Sequence, residues 1–327
     1  MLRIFSNIKH GSVLTVLIFC MVACEKKEYA LPTAKTELSN DAIKRTIGPN
    51  IVGLPIEFAY AMAIPADMGK IVSAQVEASI QGGGGTFLQH NSFNTNGSGA
   101  DVGVTIGTPS VNAGTLTTVT FNRDTNAATL RYTYIVPDAA RGQTVSFTFS
   151  AKASDGSVAS YKLGPYTISK MDIVRLLPVT NGNAAYISIA DMAVYNTANV
   201  AANAAKVDLV YLYRATPATF AHALVSPAAD PQYLPGVTLP TGVNKSSKLL
   251  KVFNLQDYNL AKLAYGIYID DLDFQKIDLA TAPNFAINLK AEAGTWVETA
   301  DGKYRAYIFF NSVATGSAVI SILRYAL

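Results

Sequence analysis

The chain has 327 residues, of which 50% are hydrophobic and only 15% charged, with a formal net charge of +3. This balance offers no basic excess to hold a nucleic-acid backbone and no polybasic patch for a lipid surface. Its two cysteines, Cys20 and Cys24, both lie near the start, so disulfides, cysteine nucleophiles and zinc–thiolate sites are excluded from the folded part.

Arg3, Lys9 and His10 form a basic leader, followed by apolar or small residues from 12 to 22. That run is too short for a bilayer span and has the length of a signal h-region. Met21, Val22 and Ala23 then precede Cys24, and Glu25, Lys26, Lys27 and Glu28 follow it. This reads as a lipobox, cut before Cys24 with the lipid carried on that cysteine. The alternative is an ordinary secretory signal with Cys24 incidental. Lipidation predicts a signal peptide over 1–23 and a membrane attachment through Cys24 outside the cytoplasm. Residues 24–45 are polar, charged and weakly periodic, with Pro32, and read as a lipidated N-terminus and flexible tether.

From 46 to 170 the chain consists of short β-like runs broken by turn residues. Residues 56–62, 71–80, 102–106, 116–121, 127–136, 144–150, 158–163 and 166–169 are strand candidates. In 71–80, Val72, Ala74, Val76, Ala78 and Ile80 fall on one face. In 144–150, Val145, Phe147 and Phe149 do so. Asp155-Gly156 is a hairpin signal, 82–85 is a glycine turn, and 90–101 is a polar loop. This density of strands predicts an immunoglobulin-like sandwich, without the disulfide and tryptophan of true immunoglobulin domains.

The texture changes near Met171. Residues 185–189 and 207–213 read as strands, 197–206 as a short helix capped by Thr197, and 217–244 as a long irregular connection. A helix is expected over 255–263, and strands over 265–269, 284–290, 295–299, 303–311 and 318–325, with Asp301-Gly302 turning between two of them. The fold class is therefore all-β with minor α: an immunoglobulin-like sandwich over 46–170, then a larger β-sandwich-like domain over 171–327 with one or two short helices. Each half is expected to fold alone.

Several strings carry a family resemblance: 161–170 (YKLGPYTISK), 206–211 (KVDLVY), 223–227 (ALVSP), 268–273 (YIDDLD) and 298–307 (ETADGKYRAY). On these the chain resembles a Bacteroidetes family of two-domain outer-membrane lipoproteins of unknown function, over nearly all of its length after the leader. The resemblance implies an N-terminal immunoglobulin-like domain and surface or periplasmic residence. It implies no catalytic residue and no cofactor.

The densest acids are Asp270, Asp271 and Asp273. Strand geometry would put Asp271 and Asp273 on one face, where they could hold Ca²⁺ or act as a glycosidase pair. The EF-hand pattern fails, since from Asp271 the sixth residue is Lys276 and the twelfth Ala282. The bland reading makes these acids structural, paired with Lys276, Lys303 or Arg305. A triad of a serine with His222 and Asp208 has no G-x-S-x-G to support it. The aromatics Trp296, Tyr304 and Tyr307, with Tyr233 and Tyr258, are candidates for stacking on sugar rings, although the alternation at 304–307 argues that most of them are core.

These features point to a non-enzymatic, outer-membrane-anchored binding or adhesion accessory. Its partners would be the membrane, through the lipid on Cys24, and a glycan or an outer-membrane protein. The alternatives are an extracytoplasmic hydrolase using the acids of the second domain, and a structural spacer that presents a partner protein.

Overall fold

Alternating apolar and polar residues build the first sandwich, and the computed structural model describes residues 35–183, 185–252 and 268–327. The strands are β1 (Ser39–Lys44), β2 (Pro55–Ala63), β3 (Ile71–Ala78), β4 (Phe87–Leu88), β5 (Asn91–Thr95), β6 (Asp101–Thr105), β7 (Val111–Ala113), β8 (Leu116–Thr120), β9 (Ala127–Ile135), β10 (Thr144–Ala153) and β11 (Val158–Thr167). One sheet runs β1-β2-β9-β4 and the other β11-β10-β3-β8-β7. This is the two-sheet arrangement of an immunoglobulin-like sandwich, with the β5–β6 hairpin added. Strand β5 and its turn occupy the stretch expected to be a polar loop, while β6 is the strand expected at 102–106. Strand β1 is also a correction, because the last residues of the expected tether pair along β2.

Rings fill the place that a disulfide and tryptophan take in immunoglobulin domains. Phe58 lies 4.7 Å from Phe147 and 5.3 Å from Phe149, and Tyr134 lies 5.0 Å from Phe147. Such pairs contribute about 0.5–1.5 kcal/mol each beyond their buried area. Buried phenols keep partners: Tyr60 accepts from Asn40 Nδ2 at 3.0 Å, and Tyr134 donates to the Ile80 carbonyl at 3.0 Å.

The second sandwich contains β12 (Asp172–Thr180), β13 (Tyr186–Ser188), β14 (Ala193–Tyr195), β15 (Leu209–Arg214), β16 (Ala221–Val225), β17 (Lys248–Val252), β18 (Phe285–Leu289), β19 (Gly294–Glu298), β20 (Tyr304–Ala314) and β21 (Ser317–Ala326). Its sheets are β12-β21-β20-β19-β17 and β14-β13-β15-β16-β18. Strand β16 lies inside the stretch read as irregular. The expected helix at 197–206 is a 3₁₀ turn, Ala201–Lys206, and Asn196 rather than Thr197 caps the preceding backbone, accepting from the amides of Ala198 and Asn199. The expected helix at 255–263, Tyr258, Cys24 and the leader lie outside the described residues, as does most of the strand expected at 265–269.

The sheet β12-β21-β20-β19-β17 is covered on both faces. Ala306, Ile308, Phe310, Ile320 and Ile322 face the other sheet. Trp296, Tyr307, Phe309, Leu323 and Tyr325 face the opposite way, against Phe274 of the helix Asp271–Lys276 and against Ile51 and Met171. A run of five buried residues in β20, 306–310, follows from this. Gly294 is required here, because a Cβ would stand 2.0 Å from the Tyr307 hydroxyl.

Ile51 belongs to the first half of the chain, yet it is fully buried in this cluster. Polar contacts cross the same junction. Asp172 pairs with Arg141 at 2.7 Å and also with Arg324, and Asn50 pairs with Ile168 beside the linking segment. Residues 37–327 accordingly form one compact unit. Ile51 thus gives the first half a side chain inside a cluster built mainly by the second.

Ile51→Ala should lower global stability by about 2–5 kcal/mol, the usual cost of emptying such a site. Scanning calorimetry of the full chain should show one transition that moves as a whole. Two transitions, with only one displaced, would mean that the sandwiches unfold independently.

Candidate functional site

The acids weighed as a weak metal candidate have hydrogen-bond partners of their own. Asp270 to Asp273 do not lie on a strand but open the helix Asp271–Lys276. Asp270 Oδ1 accepts from the amides of Leu272 at 2.8 Å and Asp273 at 3.3 Å, while Asp273 Oδ2 accepts from the Asp270 amide at 2.9 Å. This is a capping box, in which carboxylates satisfy the orphan amides of the first turn. Asp271 accepts from the Ser169 hydroxyl and, at 3.0 Å, from the Lys170 amide, so it ties the helix to the segment joining the sandwiches. Asp271 and Asp273 therefore have separate partners. Among the described residues no group of three or more His, Cys, Asp or Glu could hold a metal ion. Arg305 pairs with Glu298 at 3.0 Å and donates to the Phe274 carbonyl at 2.6 Å, rather than to the acids of this turn.

Most of the proposed aromatic platform is interior. Trp296 is 4% exposed and Tyr307 1%, because the outer face of their sheet is covered. Their ring centroids lie 5.0 Å apart, and Phe274 packs on Trp296 at 5.1 Å. Tyr304 is half-buried beneath the guanidinium of Arg324, 5.1 Å from its ring centroid. Tyr233, in the 3₁₀ turn Pro231–Tyr233, stacks on Phe285 with centroids 3.5 Å apart. Trp296 and Tyr307 are thus interior, while Tyr304 and Tyr233 each have one ring face covered.

His222 and Asp208 are also separate. His222 Nδ1 shares a hydrogen bond with the Tyr211 hydroxyl at 2.7 Å. Burial pushes the His222 imidazolium below its ordinary pKa. Asp208 pairs instead with Lys245 Nζ at 2.9 Å and accepts from the Ile189 amide at 2.7 Å. Burial pushes the Asp208 carboxyl upward, and the Lys245 ammonium opposes that shift.

What the second sandwich does form is a surface cavity of about 530 Å³ beside strands β13 and β15. Tyr186 and Tyr213 supply rings, Asn181, Thr197 and Thr238 supply amide and hydroxyl groups, and Arg214 supplies a guanidinium. The turn at Asn181-Gly182 holds one wall, since Asn181 Oδ1 accepts from the Tyr213 amide at 3.0 Å. Another wall comes from the segment at Pro235, whose carbonyl accepts from Arg214 Nη2 at 2.9 Å. Gly236, with φ of +69°, makes the turn there. Behind the cavity Tyr213 packs on His222, with centroids 4.7 Å apart. The volume suits a small molecule, for which pockets span about 300–1,000 Å³. The sequence reading missed this site, because β15, the 181–182 turn and the 235–238 segment are far apart in the chain. The only signal was the proline-rich connection at 217–244. A second cavity of about 450 Å³ lies in the first sandwich between Phe87 and Phe93, with His90 on its wall.

The linkage sign for His222 sets a pH test. Its folded pKa lies below the unfolded value of about 6.5, so the folded state must lose stability as pH falls through that value. The melting temperature should be flat above about pH 7 and decline toward pH 5, and His222→Gln should flatten that decline. An unchanged slope in the variant would remove His222 as the cause.

Residues 35–168 match the family described as "Domain of unknown function (DUF4466)", and residues 169–327 match "Domain of unknown function (DUF8576)". The crystal structure of a DUF4466 family protein from Parabacteroides merdae is 47% identical, with a TM-score of 0.83, covering 89% of this chain and 99% of that one. A GH20 exo-β-N-acetylglucosaminidase from Vibrio harveyi, in its D437A inactive mutant form, is 10% identical over 47% of this chain and 22% of its own, with a TM-score of 0.20, too low to bear on fold or function. None of the curated proteins matches the chain. With the topology of both sandwiches, near-full mutual coverage and this identity in agreement, the chain belongs to the DUF4466 family, whose function is unknown.

Proposed function

We propose that this protein is a non-enzymatic, lipid-anchored extracytoplasmic accessory of the outer membrane that holds a saccharide in the cavity of its second sandwich. The observation that carries the reading is the composition of that cavity wall. Two tyrosine rings, an amide, two hydroxyls and a guanidinium converge there. Sugars match such a wall, since their ring faces are apolar and their hydroxyls both donate and accept. Asp270 and Asp273 serve as helix caps and Asp208 and Glu298 as ion-pair partners, which favours binding over hydrolysis.

The anchor is supported by Met21, Val22, Ala23 and Cys24 after an apolar leader. A lipid on Cys24 would attach the chain stably, since each buried CH₂ contributes about 0.8 kcal/mol. Among the described residues no helix is long and apolar enough to cross a membrane. The Parabacteroides merdae relative is consistent with a Bacteroidetes setting. The shared core would let the anchored first sandwich hold the second at a set orientation.

The anchor is tested by Cys24→Ala, which should move the protein from the detergent phase to the aqueous phase. Equal retention of variant and wild type in the detergent phase would refute lipidation. Binding is tested by a glycan-array screen of the full chain. Tyr213→Ala should lower any signal tenfold or more while the circular dichroism stays β-type; retention of full signal would place the ligand elsewhere.

A further inference from the structure

Among the described residues Arg214 is the one cation on the wall of the second-sandwich cavity, and none of the residues on that wall is acidic. It is half-buried. Its single hydrogen bond among the described residues goes from Nη2 to the Pro235 carbonyl, and it has no ion pair among them. Arg45 and Arg123 also lack an ion pair among the described residues, but both are exposed. Arg131, Arg141, Arg305 and Arg324 each sit on a carboxylate. A guanidinium carries five N–H donors in a planar fork that suits two oxygens of one carboxylate. Among the described residues most of the Arg214 fork is unused, in a recess where charge is less screened than in open water.

From this we propose that the cavity takes an acidic saccharide, with Arg214 receiving the carboxylate of a uronic-acid ring. The inference rests on the saccharide reading given above and adds the charge of the ligand. Asn181, Thr197 and Thr238 stand on the same wall to meet ring hydroxyls. Asn181 spends its carbonyl oxygen on the Tyr213 amide, which leaves its NH₂ as the donor available to a ligand. With an arginine and no acid, the wall attracts an anion and gives a neutral sugar nothing to pair with that charge. A lysine would supply the charge without the fork.

Isothermal titration of the purified full chain with matched pairs tests this: galacturonic acid against galactose, glucuronic acid against glucose, and acetate as the bare anion. Saturable binding of at least one uronic acid is expected, tenfold or more tighter than its neutral partner, with acetate weaker still. Arg214→Gln should bring the uronic acid down to the level of the neutral sugar, and Arg214→Lys should fall between. Melting temperatures of both variants, measured alongside, separate loss of the fork from loss of fold, and the wild-type comparison of acid with neutral sugar needs no variant. Equal affinity within a pair would overturn the acidic-ligand inference and leave the saccharide cavity standing. Acetate binding as tightly as the uronic acids would overturn the saccharide reading and this inference with it. No binding by any of the five compounds would overturn both.

Discussion

The structure depends on one sheet, β12-β21-β20-β19-β17, being buried on both faces. A sheet with one covered face could leave Trp296 and Tyr307 in water. Here a short helix and two residues from before the second sandwich, Ile51 and Met171, close over them. Each large side chain buried in this way contributes about 1.5–3 kcal/mol relative to exposure. The outer face therefore joins the two sandwiches as well as burying rings, and Gly294 exists to let the Tyr307 ring pass.

Polar groups orient that apolar joint. Asp271 accepts from Ser169 and Lys170 at the linking segment, and Asp172 is shared between Arg141 of the first sandwich and Arg324 of the second. Such half-exposed pairs add modest stability individually, but their geometry selects one docking angle. The same logic shapes the cavity. Lys245 reaches the interior carboxylate of Asp208, and its carbonyl accepts from Ser226, so the irregular chain after β16 is pinned at its far end. Breaking a buried pair of this kind typically costs about 3–5 kcal/mol, because one charge is left unpaired. A segment held at both ends can present Pro235 and Thr238 to Arg214 and the tyrosines reproducibly.

Much of the fold was legible because strands advertise themselves by period two. The alternation Val145, Phe147, Phe149 marks β10, and Asp155-Gly156 and Asp301-Gly302 mark hairpins that the structure contains. Short apolar runs and polar stretches were less legible. Strand β16 reads Ala-His-Ala-Leu-Val within a proline-rich connection, and strand β5 reads Asn-Ser-Phe-Asn-Thr within a polar stretch. In both cases pairing partners, rather than intrinsic preference, decide the state. Asp270 to Asp273 misled for a local reason: a capping box and a strand end both place acids beside apolar residues, and only the hydrogen bonds of the first turn distinguish them.

Local chemistry along the chain was enough to specify an all-β protein with little helix. Those properties follow from residue type and short-range periodicity, which the chain carries in every window. Tertiary structure alone decided that the two parts share a core, that Trp296 and Tyr307 are interior while Arg214 lines a cavity, and that Asp208 pairs with Lys245 rather than His222. Each of those outcomes depends on which face of a sheet is covered and by what. Period two tells apart the two faces of a strand, but the covering groups come from residues tens to hundreds of positions away.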